Sequence, residues 1–163
     1  MSKLNINNVE LSSLAEHILG EGFNLRFRAS GKSMQPFILD GDVLEVEPCN
    51  GRVIQKGEII LCKTGERNLV AHRVVRLEKF DNKKSIFLRG DSNLKSEYIV
   101  FQEQVLGHIV SIMRNNRRIR IASTSQRLLV MLWNTFPPDL RKLYWRFFNF
   151  WEKLVRFSFR QEN

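Results

Sequence analysis

A chain of 163 residues is long enough for one domain with a small appendage and can bury a core without disulfide staples. Hydrophobic residues at 43% and charged residues at 26% exclude a disordered chain, and no run reaches the ~18 consecutive apolar residues of a spanning helix. The net charge of +9, with an isoelectric point near 10.0, calls for an anionic partner, either an acidic membrane surface or nucleic acid.

Leu11, Leu14, Ala15, Ile18 and Leu19 recur at the spacing of one helix face, so a short amphipathic helix is predicted over about residues 8–19. Asn7 or Asn8 caps it, Glu10 occupies its first turn, and Gly20 and Gly22 stop it. Glu10, Glu16 and His17 interrupt the apolar residues of this segment, which therefore does not read as a signal sequence. The middle of the chain reads as strands. Leu25, Phe27 and Ala29 alternate with Arg26 and Arg28 up to Ser30-Gly31, and Leu44 and Val46 alternate with Glu45 and Glu47 up to Pro48. Further strands are predicted at 58–63, 69–77, 85–89, 105–113 and 117–122, broken by Lys56-Gly57, Thr64-Gly65 and Asp81-Asn82. Short strands at this spacing imply a mainly β fold with an antiparallel core.

The character changes after Ser123. Residues 126–136 are apolar with helical period, Pro137-Pro138 interrupts them, and Asp139 caps a second helix carrying Leu143, Phe147, Trp151 and Leu154 on one stripe. The predicted division is a β domain with its N-terminal helix at 1–123 and a helical, aromatic and basic appendage at 124–163. A broad Leu/Phe/Trp surface with Arg and Lys on the other faces suits a membrane interface. Packing on the β core or on a second subunit is the other account, and the oligomeric state stays open. No nucleic-acid recognition motif accompanies the basic residues, so no nucleic-acid partner is expected. The location expected is the membrane periphery or the cytoplasm.

The chemistry concentrates in four segments: Gly31-Lys32-Ser33-Met34-Gln35-Pro36, Gly41-Asp42, Ala71-His72-Arg73-Val74 and Gly90-Asp91-Ser92-Asn93. A serine hydroxyl is a poor nucleophile until a base takes its proton, and an imidazole is the usual base. A carboxylate then fixes the tautomer of that base. Ser33, His72 and an acid follow one another in the chain, so a serine protease is the leading reading. His72 lies between Val70 and Val74 on one face of a predicted strand, whereas His17 and His108 have no comparable context. A Ser-Lys pair is the competing arrangement, but Lys32 adjoins the serine and Lys63 ends a strand, both positions of solvated lysines.

Ser-Met-x-Pro, then Gly-Asp, His-Arg-Val and Gly-Asp-x-Asn resemble the type I signal peptidases, and within them the Ser-His branch of the endoplasmic reticulum, archaea and some bacteria. The resemblance covers about residues 25–112. It implies a signal-peptidase-like β core and a serine endopeptidase that cuts a precursor or leader peptide after small residues. Ser33 would be its nucleophile, His72 its general base, and Met34 part of the substrate groove. Either Asp91 or Glu97 would orient the base, since the family places a second aspartate about six residues after the first and this chain has Glu97 there. The Ser33 N–H is the expected oxyanion donor. The serine that some members carry two residues before the nucleophile is replaced by Gly31, with Ser30 one position earlier. Asp42 reads as a structural bracket. The family's usual spanning helix before the serine is not seen. Cys49 and Cys62 have no metal spacing and read as reduced thiols, so no metal or cofactor is expected. The alternative function is a non-catalytic or self-cleaving regulatory domain of the same fold class. Such regulators carry an N-terminal DNA-binding domain, for which the single helix before Phe23 is too short.

Overall fold

The computed structural model describes residues 8–65, 68–80, 83–93, 96–121 and 137. The chain divides into two units, Met1–Gln126 and Arg127–Asn163. The helices predicted at 126–136 and after Asp139, and with them the membrane-facing appendage, lie outside the described residues. Among the described residues no helix is long and apolar enough to cross a membrane.

The first unit is mainly β. Helix α1 (Asn8–Gly20) precedes strands β1 (Leu25–Arg28), β2 (Val43–Pro48), β3 (Ile59–Thr64), β4 (Asn68–Phe80), β5 (Lys83–Arg89) and β6 (Tyr98–Phe101). A 3₁₀ turn at Gln102–Gln104 leads to β7 (Val105–Arg114) and β8 (Arg117–Arg120). All pairings are antiparallel, in the order β1-β2-β7-β3-β4-β5-β6, with β8 also on β7. The sheet is curled.

Helix α1 ends as its glycines require. Gly22 adopts φ of 86°, a left-handed conformation that costs a residue without Cβ little. The Gly22 N–H then reaches the Leu19 carbonyl at 3.1 Å and the Phe23 N–H the Ile18 carbonyl at 3.1 Å, which closes the C-terminus. The buried stripe is Ser12, Ala15 and Leu19, flanked by Leu11 and Ile18. Leu14, predicted on this face, is 40% exposed. The helix is rolled so that the small Ser12 meets the sheet, which turns Leu14 outward.

Strand β3 explains how a curled sheet keeps two cores. Its side chains alternate, so Ile59 and Leu61 enter a cluster with Ala15, Leu19, Met34, Ile38, Leu44 and Val46. Ile60 and Cys62 enter a second cluster with Val74, Ile86, Leu88, Val100 and Val105. A strand buried on both faces must be apolar throughout, and Ile59-Ile60-Leu61-Cys62 is. Alternation in β2 has a different outcome, because Glu45 faces away from Leu44 and Val46 and is still only 7% exposed. It accepts hydrogen bonds from Ser111 Oγ at 2.5 Å and Arg26 at 2.7 Å, and it pairs with Arg118. These bonds, led by the one from Ser111, hold its carboxyl well below the usual range, at about 2.

Candidate active site

Ser33 lies in the exposed loop between β1 and β2, and several side chains fix that loop. Asp40 Oδ1 accepts the Gly31 N–H at 2.9 Å. Asp42, 5% exposed, accepts the Leu39 N–H at 2.8 Å and two Arg114 guanidinium bonds at 2.9 and 2.7 Å. It braces the loop against β7, in keeping with its reading as a bracket. Met34 is buried in the first core beside Ile38 and also lines a pocket of about 240 Å³ that opens next to Ser33.

The loop after β5 holds Ser33 from the other side. Both the N–H and the hydroxyl of Ser92 donate to the Ser33 carbonyl, each at 2.9 Å. This approach depends on Gly90. A Cβ there would stand 2.6 Å from the Ser33 carbonyl oxygen and 3.2 Å from His72 Nε2. Two sequence segments far apart thus meet backbone to backbone at a residue with no side chain.

His72 comes from β4, where alternation puts it on the same face as Val70 and Val74. Its Nε2 is 3.0 Å from Ser33 Oγ, across 39 residues of chain. Burial pushes the imidazole down to about 4, so the ring is neutral at ordinary pH. At Nδ1 stands Tyr98 of β6, its hydroxyl at 2.8 Å and its ring centroid 5.4 Å from that of the histidine.

Neither acid expected at Nδ1 contacts it. Asp91 is engaged by Arg73 through two parallel bonds, Nε to Oδ1 and Nη2 to Oδ2, both at 2.7 Å. The two side chains are each 7% exposed. Arg73 also donates to the Gly57 carbonyl at 2.8 Å and lies over the Phe37 ring at 5.2 Å. Burial pushes the Asp91 carboxyl up while the guanidinium pulls it down. Arg73 adjoins His72 on an alternating strand, so the partner of one faces away from the partner of the other. Glu97 is 38% exposed, with Arg76 at 3.8 Å and Arg89 at 3.7 Å. Its carboxylate stays with surface arginines.

The remaining candidates sit elsewhere. Lys63 bonds Glu16 on α1 at 2.6 Å, and Lys32 is exposed. His17 is exposed on α1, whereas His108 is buried with Nδ1 3.3 Å from Glu58. Cys49 and Cys62 are both free. Cys49 follows β2 and Cys62 lies on β3, the two strands that flank β7 on opposite sides. Among the described residues no group of three His, Cys, Asp or Glu side chains is placed to hold a metal ion.

Tyr98 and Ser92 are the contacts that sequence reasoning missed. Tyr98-Ile99-Val100-Phe101 is a run of aromatic and β-branched residues, a strand signal in itself, but its closeness to His72 follows only from β4, β5 and β6 lying side by side. No protein-family model matches the chain, and no curated protein matches it. The geometry therefore carries the functional reading.

Proposed function

We propose that this chain is a serine endopeptidase in which Ser33 is the nucleophile and His72 its general base, similar in arrangement to the Ser-His type I signal peptidases. The observation that carries the proposal is the 3.0 Å contact between Ser33 Oγ and His72 Nε2. This is hydrogen-bond distance, and the imidazole at one end is neutral and able to accept. On attack at a peptide carbonyl, the Ser33 proton passes to Nε2 and an oxyanion forms. The Ser33 N–H donates to no main-chain carbonyl among the described residues and is available to that oxyanion. The imidazolium then protonates the leaving amine, and water releases the acyl group through the same base.

The surroundings suit an extended peptide. Among the described residues strand β1 pairs with β2 alone, at the edge of the sheet, and leads directly into the Ser33 loop. A peptide that adds to such an edge is held by main-chain hydrogen bonds and read by pockets for alternate side chains. Phe27, Ala29, Met34, Leu69 and Ala71 line one side of the pocket next to Ser33 and Arg28, Ser30 and Gly31 another, and the apolar side suits small uncharged side chains in the substrate. A precursor or leader peptide with small residues before the cut is the substrate class proposed. Attachment of residues 124–163 to an anionic membrane surface belongs to the same proposal and rests on their sequence.

The test is a peptide library varied around the scissile bond, read by mass spectrometry. Wild-type protein is expected to cleave a subset with small residues before the cut, and Ser33→Ala and His72→Ala to cleave none. Failure of the wild type on every peptide between pH 4 and 9, or cleavage by Ser33→Ala at the wild-type rate, rejects the assignment.

A further inference from the structure

The base of this site is held without a carboxylate, and the neighbours of Tyr98 show how. Tyr98 is opposite Leu88, and Leu88 opposite Val74, so these three lie in a row across β6, β5 and β4 on one face of the sheet. His72 is two residues from Val74 on that face. Gly90 follows β5 directly, and its missing side chain leaves room for His72 Nε2 beside the Ser33 carbonyl. Cys62, on β3 at the other flank of β4, is fully buried in the same cluster, and Tyr98 packs against that cluster.

Proton counting fixes what the contact between Tyr98 and His72 must be in a working base. For Nε2 to receive the Ser33 proton across 3.0 Å it must be bare, so the hydrogen of the neutral ring sits on Nδ1 and the phenol oxygen at 2.8 Å accepts it. Burial raises the phenol above its ordinary value, so Tyr98 keeps its own hydrogen at neutral pH.

We propose that Tyr98 is the positioning residue of His72, accepting the Nδ1–H at 2.8 Å, so that a neutral partner favours the tautomer in which Nε2 receives the serine proton. The direction of this bond rests on the peptidase reading; the contact itself does not. In a carboxylate-held base the partner also stabilises the imidazolium. A phenol orients the ring without adding a charge, so the base keeps the low proton affinity that its burial gives it.

The test uses full-length protein with ¹⁵N-labelled histidine, its three histidines assigned by single substitutions. At pH 7, His72 is expected to show a protonated Nδ1 and a bare Nε2. Tyr98→Phe removes one oxygen and keeps the ring, and thermal unfolding checks that the fold is retained. It should shift His72 toward the Nε2–H tautomer and lower kcat by about 10- to 100-fold, the usual cost of losing the partner that orients a histidine, with KM unchanged. Tyr98→Phe protein that keeps the Nδ1–H tautomer overturns the proposal whatever its rate, and so does a shifted tautomer with unchanged kcat. A tautomer that depends on Tyr98 in a protein that cleaves nothing would sustain the hydrogen bond and reject the peptidase instead.

Discussion

Gly90→Ala puts one methyl group at the point where the Ser33 loop, the β5 end and His72 converge. The added carbon would lie 2.6 Å from the Ser33 carbonyl oxygen and 3.2 Å from both the Ser33 carbonyl carbon and His72 Nε2. Ordinary contact begins at 3.4 Å, so the oxygen must retreat by about 0.8 Å. Ser92, on the same turn as Gly90, holds that oxygen with two hydrogen bonds of 2.9 Å. Backing away relieves the clash only by stretching both bonds. Gly90 is not among the glycines with positive φ, so the backbone itself tolerates alanine and the penalty is steric. Overpacking of this kind costs about 1–3 kcal/mol, while the stiffer unfolded chain of an alanine variant returns about 0.4–1 kcal/mol. The clash wins. A net loss of about 1–2 kcal/mol lowers Tm by about 2–8 °C at this chain size. The effect on cleavage should be larger, since a displacement of about 1 Å in reacting groups costs roughly 100-fold. Calorimetry and cleavage of a library-derived peptide read the two effects separately. An alanine variant with wild-type Tm and wild-type kcat would refute the close seating of Ser33 on Gly90.

The pH profile follows from the burial of His72. Only neutral imidazole accepts the serine proton, so kcat/KM should stay level from neutrality into the acid range and fall with a midpoint near about 4. A midpoint near 6.5 would mean a solvated histidine, and a rise confined to pH 9–10 would indicate a lysine base. The same depressed value makes stability rise with pH, because the unfolded state binds the proton more readily between about 4 and 6.5; urea unfolding of wild type and His72→Gln across that window measures it. Asp91→Ala leaves the Arg73 guanidinium buried and unpaired, so it should cost about 3–5 kcal/mol in urea unfolding. If it instead left stability intact and moved the His72 tautomer, Asp91 would be the partner of the base. Glu97→Gln touches only long surface ion pairs and should change stability by less than about 0.5 kcal/mol, with cleavage unchanged; a large loss of rate would restore Glu97 as a site residue.

Local pattern sufficed for much of this molecule. The N-terminal helix, the Gly20–Gly22 stop and all strands but β6 were legible from periodicity and turn residues, because each of those signals arises within a few neighbouring side chains. The pairing of Ser33 with His72 was legible as residue types in order, and the sheet brings them to 3.0 Å. The third contact was not. A carboxylate such as Asp91 can hold an imidazole or an arginine, and the sequence contains both Arg73 and His72 with nothing to rank them. Strand alternation ranks them: adjacent residues on β4 face opposite ways, so Asp91 goes to Arg73 and the Nδ1 side of His72 is left to whatever strand lies beyond β5. That strand is β6, whose Tyr98 hydroxyl stands 2.8 Å from Nδ1. Which side chain completes a site is a property of strand order and register, quantities that the separate segments do not carry and that only their assembly into one sheet defines.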